Sequence, residues 1–178
     1  HNAHRRQRQM CIRDSSMPTG KCLILVTPDA KRTMTTSLSV SSFMDGQDLD
    51  LDEIANSKIF YVEGYMVTSD ENYGCVLSVL EHLKNFPDVK IALSLSDPGI
   101  VAGFIDKFKE IEAYGLDFIF GNDDEFMMFV GASNLDEAFD LLQSKNYISV
   151  ITMGEQGSAV ISSNEVIKTP RVNICLLY

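Results

Sequence analysis

Residues 89–120, VKIALSLSDPGIVAGFIDKFKEIEAYGLDFIF, contain the pattern that predicts the fold class. Apolar runs at 89–95 and 117–120 are short enough to be buried strands. Between them, residues 98–114 repeat large apolar side chains at helical spacing, with Asp97 and Pro98 placed as helix start signals. A strand, a helix and a second strand in close succession indicate a parallel βαβ unit.

The same alternation extends through most of the chain. Further strands are expected at 21–27, 33–39, 58–62 and 148–152, and a hairpin at 158–168; the expected helices are 50–57, 71–86, 123–130 and 135–144. Apolar strands that alternate with helices predict an α/β fold, with a mostly parallel sheet and helices on both faces. Residues 1–16 show no such periodicity and are basic, so we expect a disordered or non-native tail followed by one domain over 17–178.

Charge and cysteine content restrict the class of function. The chain has 178 residues, 25 acidic against 15 basic, and a net charge of -10, so nucleic-acid and anionic-membrane partners are disfavoured. Its four cysteines form neither a CxxC pair nor a cluster with histidine, which argues against a zinc site and a disulfide framework. No apolar run is long enough to span a bilayer. We expect a cytoplasmic protein.

Ligands of parallel α/β sheets bind beyond the carboxyl ends of the strands, so the loops there are the candidate sites. The segment GNDDE, residues 121–125, follows one strand and opens a helix. Its oxygen ligands suit Mg²⁺, but the same residues would also cap an ordinary helix. The segment TMGEQG, residues 152–157, could let a phosphate or ribose approach backbone N–H groups, or could simply form a tight turn.

Five segments together, in this order, resemble one family. They are TPDAKRTM (27–34), VEGYMV (62–67), LSLSDP (93–98), FGNDDE (120–125) and TMGEQG (152–157). This order is similar to that of the PfkB, or ribokinase-like, kinases, and within them to the adenosine-kinase-like branch. The resemblance implies a ribokinase-like sheet with a small β lid. It also implies that the γ-phosphoryl group of ATP is transferred, with Mg²⁺, to a hydroxymethyl group of a sugar or nucleoside.

The resemblance also implies roles for individual residues. Asn122 and Glu125 match an Asn-x-x-Glu motif whose Glu organises Mg²⁺ through water, and Arg32 matches an arginine that contacts the transferred phosphate. Tyr65 matches an aromatic residue beside the nucleoside. The nucleotide-binding turn of the family corresponds to Thr152, Gly154 and Gly157.

The sequence departs from the family pattern at three places. An early Gly-Gly substrate motif and the Gly-Ala-Gly-Asp segment with the catalytic base are both absent from the 178 residues. Gly99 stands where adenosine kinases commonly have an aromatic residue. We therefore expect part of a longer kinase that is inactive by itself, or alternatively a degenerate domain that only binds nucleotide or a partner. A Rossmann-type oxidoreductase is disfavoured because no GxGxxG follows any predicted strand.

Overall fold

The computed structural model describes residues 17–29, 32–44, 46 and 49–171. The predicted tail at 1–16 lies outside the described residues. The chain forms two compact units, which divide between Met44 and Asp45.

The first unit contains a two-stranded antiparallel sheet. Strand β1 is Lys21–Val26 and strand β2 is Arg32–Ser37, with Lys21 paired to Ser37 and Val26 paired to Arg32. A single turn of 3₁₀ helix, Ser39–Ser42, follows. The predicted pairing of these two segments is confirmed. Every residue of both strands is exposed.

The second unit is a six-stranded sheet in which the strand order follows the chain order, β3-β4-β5-β6-β7-β8. Neighbours from β3 to β6 are parallel, whereas β7 is antiparallel to both β6 and β8. The strands are β3 Ile59–Glu63, β4 Lys90–Ser94, β5 Phe118–Asn122, β6 Ile148–Thr152, β7 Ser158–Ile161 and β8 Val166–Thr169. The helices are α1 Leu51–Ala55, α2 Asp70–Leu83, α3 Pro98–Gly103, α4 Ile105–Ala113, α5 Asp123–Val130 and α6 Leu135–Gln143. The α/β class and the mostly parallel sheet are confirmed.

One face of this sheet carries the hydrophobic core. Register places Val62, Leu93 and Ile119 side by side on neighbouring strands, and each is at most 2% exposed. Large buried side chains from the helices pack against this row, among them Leu80 of α2, Phe108 of α4, Phe126 and Phe129 of α5 and Leu142 of α6. Because right-handed crossovers between strands in sequential order all lie on the same side, the helices of β3 to β6 share this face.

The other face of the sheet, which we call the second face, is apolar and largely uncovered within the described residues. Its side chains alternate with those of the core face and include Tyr61, Phe118, Phe120, Ile148, Val150, Val160 and Ile167. Tyr61 remains 52% exposed and Ile167 49% exposed. The predicted helical layer on a second side is therefore not seen in residues 49–171.

One predicted helix is divided in two. The expected helix over 98–114 is interrupted at Phe104, whose backbone angles of φ -130° and ψ 28° lie outside the helical region. Gly103 precedes the break, and glycine weakens a helix because its backbone has more freedom to lose. Both halves still bury apolar side chains, Val101 in α3 and Phe108 and Ile111 in α4.

Candidate active site

The carboxyl ends of four parallel strands meet at one edge of the six-stranded sheet. The last residue of β5, Asn122, is the register partner of Thr152, the last residue of β6. Glu63 at the end of β3 is likewise paired with Ser94 at the end of β4. The topology thus brings Asn122 and Thr152, which are distant in sequence, onto adjacent strands at the edge where ligands of such sheets bind.

Asn122 and Glu125 form a reciprocal capping box at the start of α5. The Asn122 side-chain oxygen accepts a hydrogen bond from the Glu125 N–H at 2.8 Å. In return, Glu125 Oε2 accepts from the Asn122 N–H and Oε1 accepts from Asn122 Nδ2, both at 2.9 Å. This arrangement satisfies free N–H groups at the helix start and holds the Glu125 carboxylate in one orientation.

The Glu125 carboxylate is buried in an acidic environment. The residue is only 6% exposed, and burial raises the pKa of its carboxyl above the usual value. The hydrogen bond from the Asn122 backbone lowers this pKa, but the nearby charges of Asp97, Asp124 and Asp123 raise it further. A cation close to this group would favour its charged form.

The described residues do not form a metal centre by themselves. None of them belongs to a group of three or more His, Cys, Asp or Glu side chains that could hold a metal ion. Both Glu125 oxygens already accept hydrogen bonds from Asn122. Glu125 alone is therefore not a metal site, and a Mg²⁺ ion here would need further ligands, such as water and a phosphate.

The turn after β6 contains two glycines with positive φ, Gly154 at 53° and Gly157 at 91°. A Cβ at Gly157 would lie 2.1 Å from the carbonyl oxygen of Thr169, so this glycine is required by close backbone packing against the end of β8. A Cβ at Gly154 would meet no atom of the described residues within 4 Å. Gly157 thus has a structural explanation, whereas the space over Gly154 is open to a ligand.

The end of β3 is held against the end of β4. Gly64 is buried, and its N–H donates to Ser96 Oγ at 3.0 Å. Tyr65, the next residue, is 43% exposed in the short 3₁₀ helix Gly64–Thr68. Asp97 caps α3 as the sequence predicts, because its Oδ1 accepts from the N–H groups of Gly99 and Ile100.

A family model for the pfkB family carbohydrate kinases matches residues 7–175. The chain belongs to this family. The matched part covers most of each compact unit and all the strand-end loops of the candidate site.

Similarity to individual proteins agrees with this assignment to the pfkB family. An adenosine kinase from Dictyostelium discoideum is 28% identical over 136 residues, which cover 74% of this chain and 38% of the relative. The crystal structure of an adenosine kinase from Sinorhizobium meliloti superposes with a TM-score of 0.82 at 25% identity, over 90% of this chain and 49% of that one. These matches confirm the adenosine-kinase-like resemblance. The chain spans about half the length, or less, of these two relatives.

A third structural neighbour shows the shared fold. It is described as a Ribokinase II from E. coli in complex with ATP and Mg²⁺, and it superposes with a TM-score of 0.72 at 14% identity. The match covers 86% of this chain and 51% of the neighbour. The ribokinase-like fold predicted from the motif order is thereby confirmed.

The predicted site residues of this pfkB-family chain fall into three groups. Asn122, Glu125 and Thr152 are brought together with the Gly154 turn at the sheet edge. Tyr65 lies at the end of β3 on the same edge. Arg32 is the exposed first residue of β2 in the other unit, and its contact with phosphate stays a prediction.

Sequence reasoning missed Ser96. The residue lies in the SDP segment, where only Asp97 and Pro98 gave a readable helix-start signal. The structure shows a positive φ of 70° at Ser96 and the long-range hydrogen bond to Gly64. A serine with backbone angles in the left-handed region is uncommon, and residue type alone does not predict it.

Proposed function

We propose that the chain is the nucleotide-binding part of an ATP-dependent kinase that phosphorylates a hydroxymethyl group of a nucleoside or sugar. The observation that carries this proposal is the Asn122–Glu125 capping box, paired through the sheet with Thr152 at the carboxyl edge of a pfkB-family fold. An edge of this kind is where such folds bind nucleotides. The similarity to two adenosine kinases favours a nucleoside as acceptor, although Gly99 differs from the aromatic residue common in that branch.

The side chains take distinct positions in this proposal. Asn122 and Thr152, with the open backbone at Gly154, face the phosphates or ribose of ATP. Tyr65 contacts the acceptor, since it is an exposed aromatic residue just after β3, on the same edge of the sheet and two strands from β5. Arg32 neutralises charge on the transferred phosphate, because phosphoryl transfer depends chiefly on positioning and on neutralising charge.

Mg²⁺ would accompany ATP in this site. When bound, it supplies charge neutralisation at the phosphates. Glu125 would hold it through water, and Asn122 fixes the orientation of that carboxylate. The protein is expected to work in the cytoplasm on small molecules, without nucleic-acid or membrane partners. None of the helices described here has the length and apolarity that a bilayer span requires.

The test is to express the reading frame extended on both sides and to assay ATP-dependent phosphorylation of adenosine, ribose and fructose. ATP-dependent phosphorylation of any of these acceptors would support the proposed kinase function. The second candidate is a degenerate, non-catalytic domain that binds nucleotide or a partner only. ATP binding without turnover in the extended protein, measured by calorimetry, would favour that second candidate.

A further inference from the structure

Ser96 forms a strained turn at the end of β4. Its φ is 70°, and Ser39 is the only other non-glycine residue with positive φ in the described part of the chain. The N–H of Asp97 donates to the carbonyl oxygen of Leu95 at 2.9 Å. A hydrogen bond between the residues on either side of a central residue with φ near +75° defines the rarer, strained form of γ-turn.

Relief of strain alone would favour glycine at this position, so the serine side chain requires an explanation. Its hydroxyl accepts the hydrogen bond from the buried N–H of Gly64, 32 residues earlier in sequence. Burial would otherwise leave that N–H without a partner, at a cost in free energy. The serine thus combines a strained backbone with a side-chain bond to the neighbouring strand end.

Gly64 and the Ser96 turn pack backbone to backbone. A Cβ at Gly64 would lie 2.5 Å from the carbonyl oxygen of Leu95 and 2.7 Å from that of Ser94. This approach determines where the chain leaves β3 and begins the 3₁₀ helix that carries Tyr65. Backbone strain that persists next to a ligand-binding edge commonly has a functional reason.

We propose that Ser96 is a positioning residue that holds the Gly64–Thr68 segment, and with it Tyr65, in place for the acceptor. The proposal rests on the proposed kinase function. Ser96 acts through the Gly64 N–H and does not itself touch the reacting atoms. Its removal should therefore weaken acceptor binding and leave the nucleotide side, which lies on β5 and β6, largely unaffected.

The test compares Ser96→Ala and Ser96→Gly in the extended protein. Both variants lose the hydroxyl, but only glycine relieves the positive φ. We expect both to raise KM for adenosine about tenfold, the effect of losing one well-placed interaction, while KM for ATP and kcat stay within about twofold. Both variants lose the hydrogen bond to the Gly64 N–H, but only glycine relieves the positive φ, so Ser96→Gly should melt at a higher temperature than Ser96→Ala.

Ser144→Ala is the matched control, because Ser144 Oγ donates to the carbonyl oxygen of Leu141 at 2.6 Å, which is also a hydrogen bond between a serine side chain and the backbone. Ser144 lies between α6 and the start of β6, at the opposite end of that strand from the candidate site. The Ser144→Ala substitution should change neither KM. The proposal is overturned if KM for adenosine is unchanged in both Ser96 variants. It is equally overturned if KM for ATP rises as much as KM for adenosine in both Ser96 variants, since this indicates a purely structural serine.

The unmodified extended protein separates the two hypotheses. If it phosphorylates adenosine and the Ser96 variants behave like the control, only the positioning role fails. If it neither phosphorylates nor binds adenosine, the nucleoside kinase function fails, and the positioning role fails with it.

Discussion

The buried Glu125 and the partly buried Glu112 of this pfkB-family chain have opposite electrostatic environments. Glu125 is surrounded by carboxylates and its pKa is raised, first by burial. Burial would also raise the pKa of Glu112, but hydrogen bonds from Lys145, Lys109 and Tyr147 outweigh it and lower that pKa. The Glu112 oxygens lie 2.9 Å from Lys145 Nζ and 3.0 Å from Lys109 Nζ. Glu112 therefore links α4 to the residues just before β6. The charged form of Glu125, by contrast, is disfavoured by its surroundings at the sheet edge.

Substitution of Glu112 by glutamine should destabilise the fold at neutral pH. We expect a loss of about 1–2 kcal/mol in the free energy of unfolding, because charge-assisted hydrogen bonds are lost and both lysines are partly exposed to solvent. Since the folded pKa is lowered, the contribution of Glu112 is present above its unfolded pKa and disappears as pH falls through the folded value. Urea unfolding at pH 7 and pH 3 measures this. An equal loss at both pH values would contradict it.

Glu125→Gln should show the opposite pH dependence. Since the folded pKa of Glu125 is raised, its favourable contribution is present below the unfolded pKa and is lost as pH rises through the folded value. The unmodified chain should therefore lose stability relative to Glu125→Gln as pH rises from 4 to 7. In the extended protein the same substitution should reduce turnover and its Mg²⁺ dependence, while the melting temperature at pH 7 does not fall. Unchanged turnover with a melting temperature several degrees lower would make Glu125 a structural cap only.

At the scale of elements, the turn between β6 and β7 contains two glycines with different roles, one structural and one a candidate for ligand binding. Gly157 has the backbone of Thr169 against it, whereas the position of a Cβ on Gly154 is open. The turn is closed by its own hydrogen bonds, from the Met153 N–H to the Gly157 carbonyl oxygen at 2.8 Å and from the Gly157 N–H to the Gly154 carbonyl oxygen at 3.2 Å. Alanine at the two glycines should therefore have different consequences.

Gly154→Ala should cost only about 1 kcal/mol of stability, the usual cost of a non-glycine residue at positive φ. Gly157→Ala should cost more, about 3 kcal/mol or above, because strain and a backbone clash add together. In ATP titrations of the extended protein, Gly154→Ala should weaken binding more than its effect on stability explains. Equal melting temperatures for the two variants would refute the assignment, and so would ATP affinity that stays normal in Gly154→Ala.

The second face is the element-scale feature that most affects solution behaviour. An uncovered apolar sheet face favours association. Val160→Thr combined with Ile167→Thr keeps β-branched side chains in both strands while reducing apolar surface. We expect these substitutions to shift the 178-residue chain toward monomer in sedimentation velocity at increasing concentration. Leu141→Gln on α6 is the matched control, since Leu141 is 39% exposed and Val160 is 37% exposed. An equal shift with the control would show that the second face has no special part in association.

At the scale of the whole molecule, the candidate site contains the residues proposed to face the nucleotide, and no general base has been assigned among the described residues. The 178 residues contain no Gly-Ala-Gly-Asp segment, and the described residues supply no three-donor metal cluster. The chain also spans 49% of a matched adenosine kinase. Under the proposed function, Asn122, Thr152 and Gly154 would bind and orient a nucleotide.

The 178-residue chain alone should therefore show no turnover. Without proton abstraction and full charge stabilisation at the acceptor, phosphoryl transfer to adenosine, ribose or fructose is expected to stay at background. A coupled ADP-release assay with each acceptor measures this, and the extended protein is the positive control. ATP-dependent product formation by the 178-residue chain would show that its own residues complete the site.

The order of strands and helices could be predicted from local pattern alone, because apolar periodicity and helix caps act over a few residues. Helix α5 and strand β6 match the predicted ranges, and the capping function of Asn122, Asp97 and Asn134 follows from residue type and spacing. The motif order was also sufficient to indicate the pfkB family. The remaining features could be found only in the tertiary structure, because they depend on contacts between residues that are distant in sequence. The pairing of Asn122 with Thr152, the placement of the helices within residues 49–171 on one face of the sheet, and the bond between Gly64 and Ser96 arise from strand register and crossover handedness, which no local window of sequence contains.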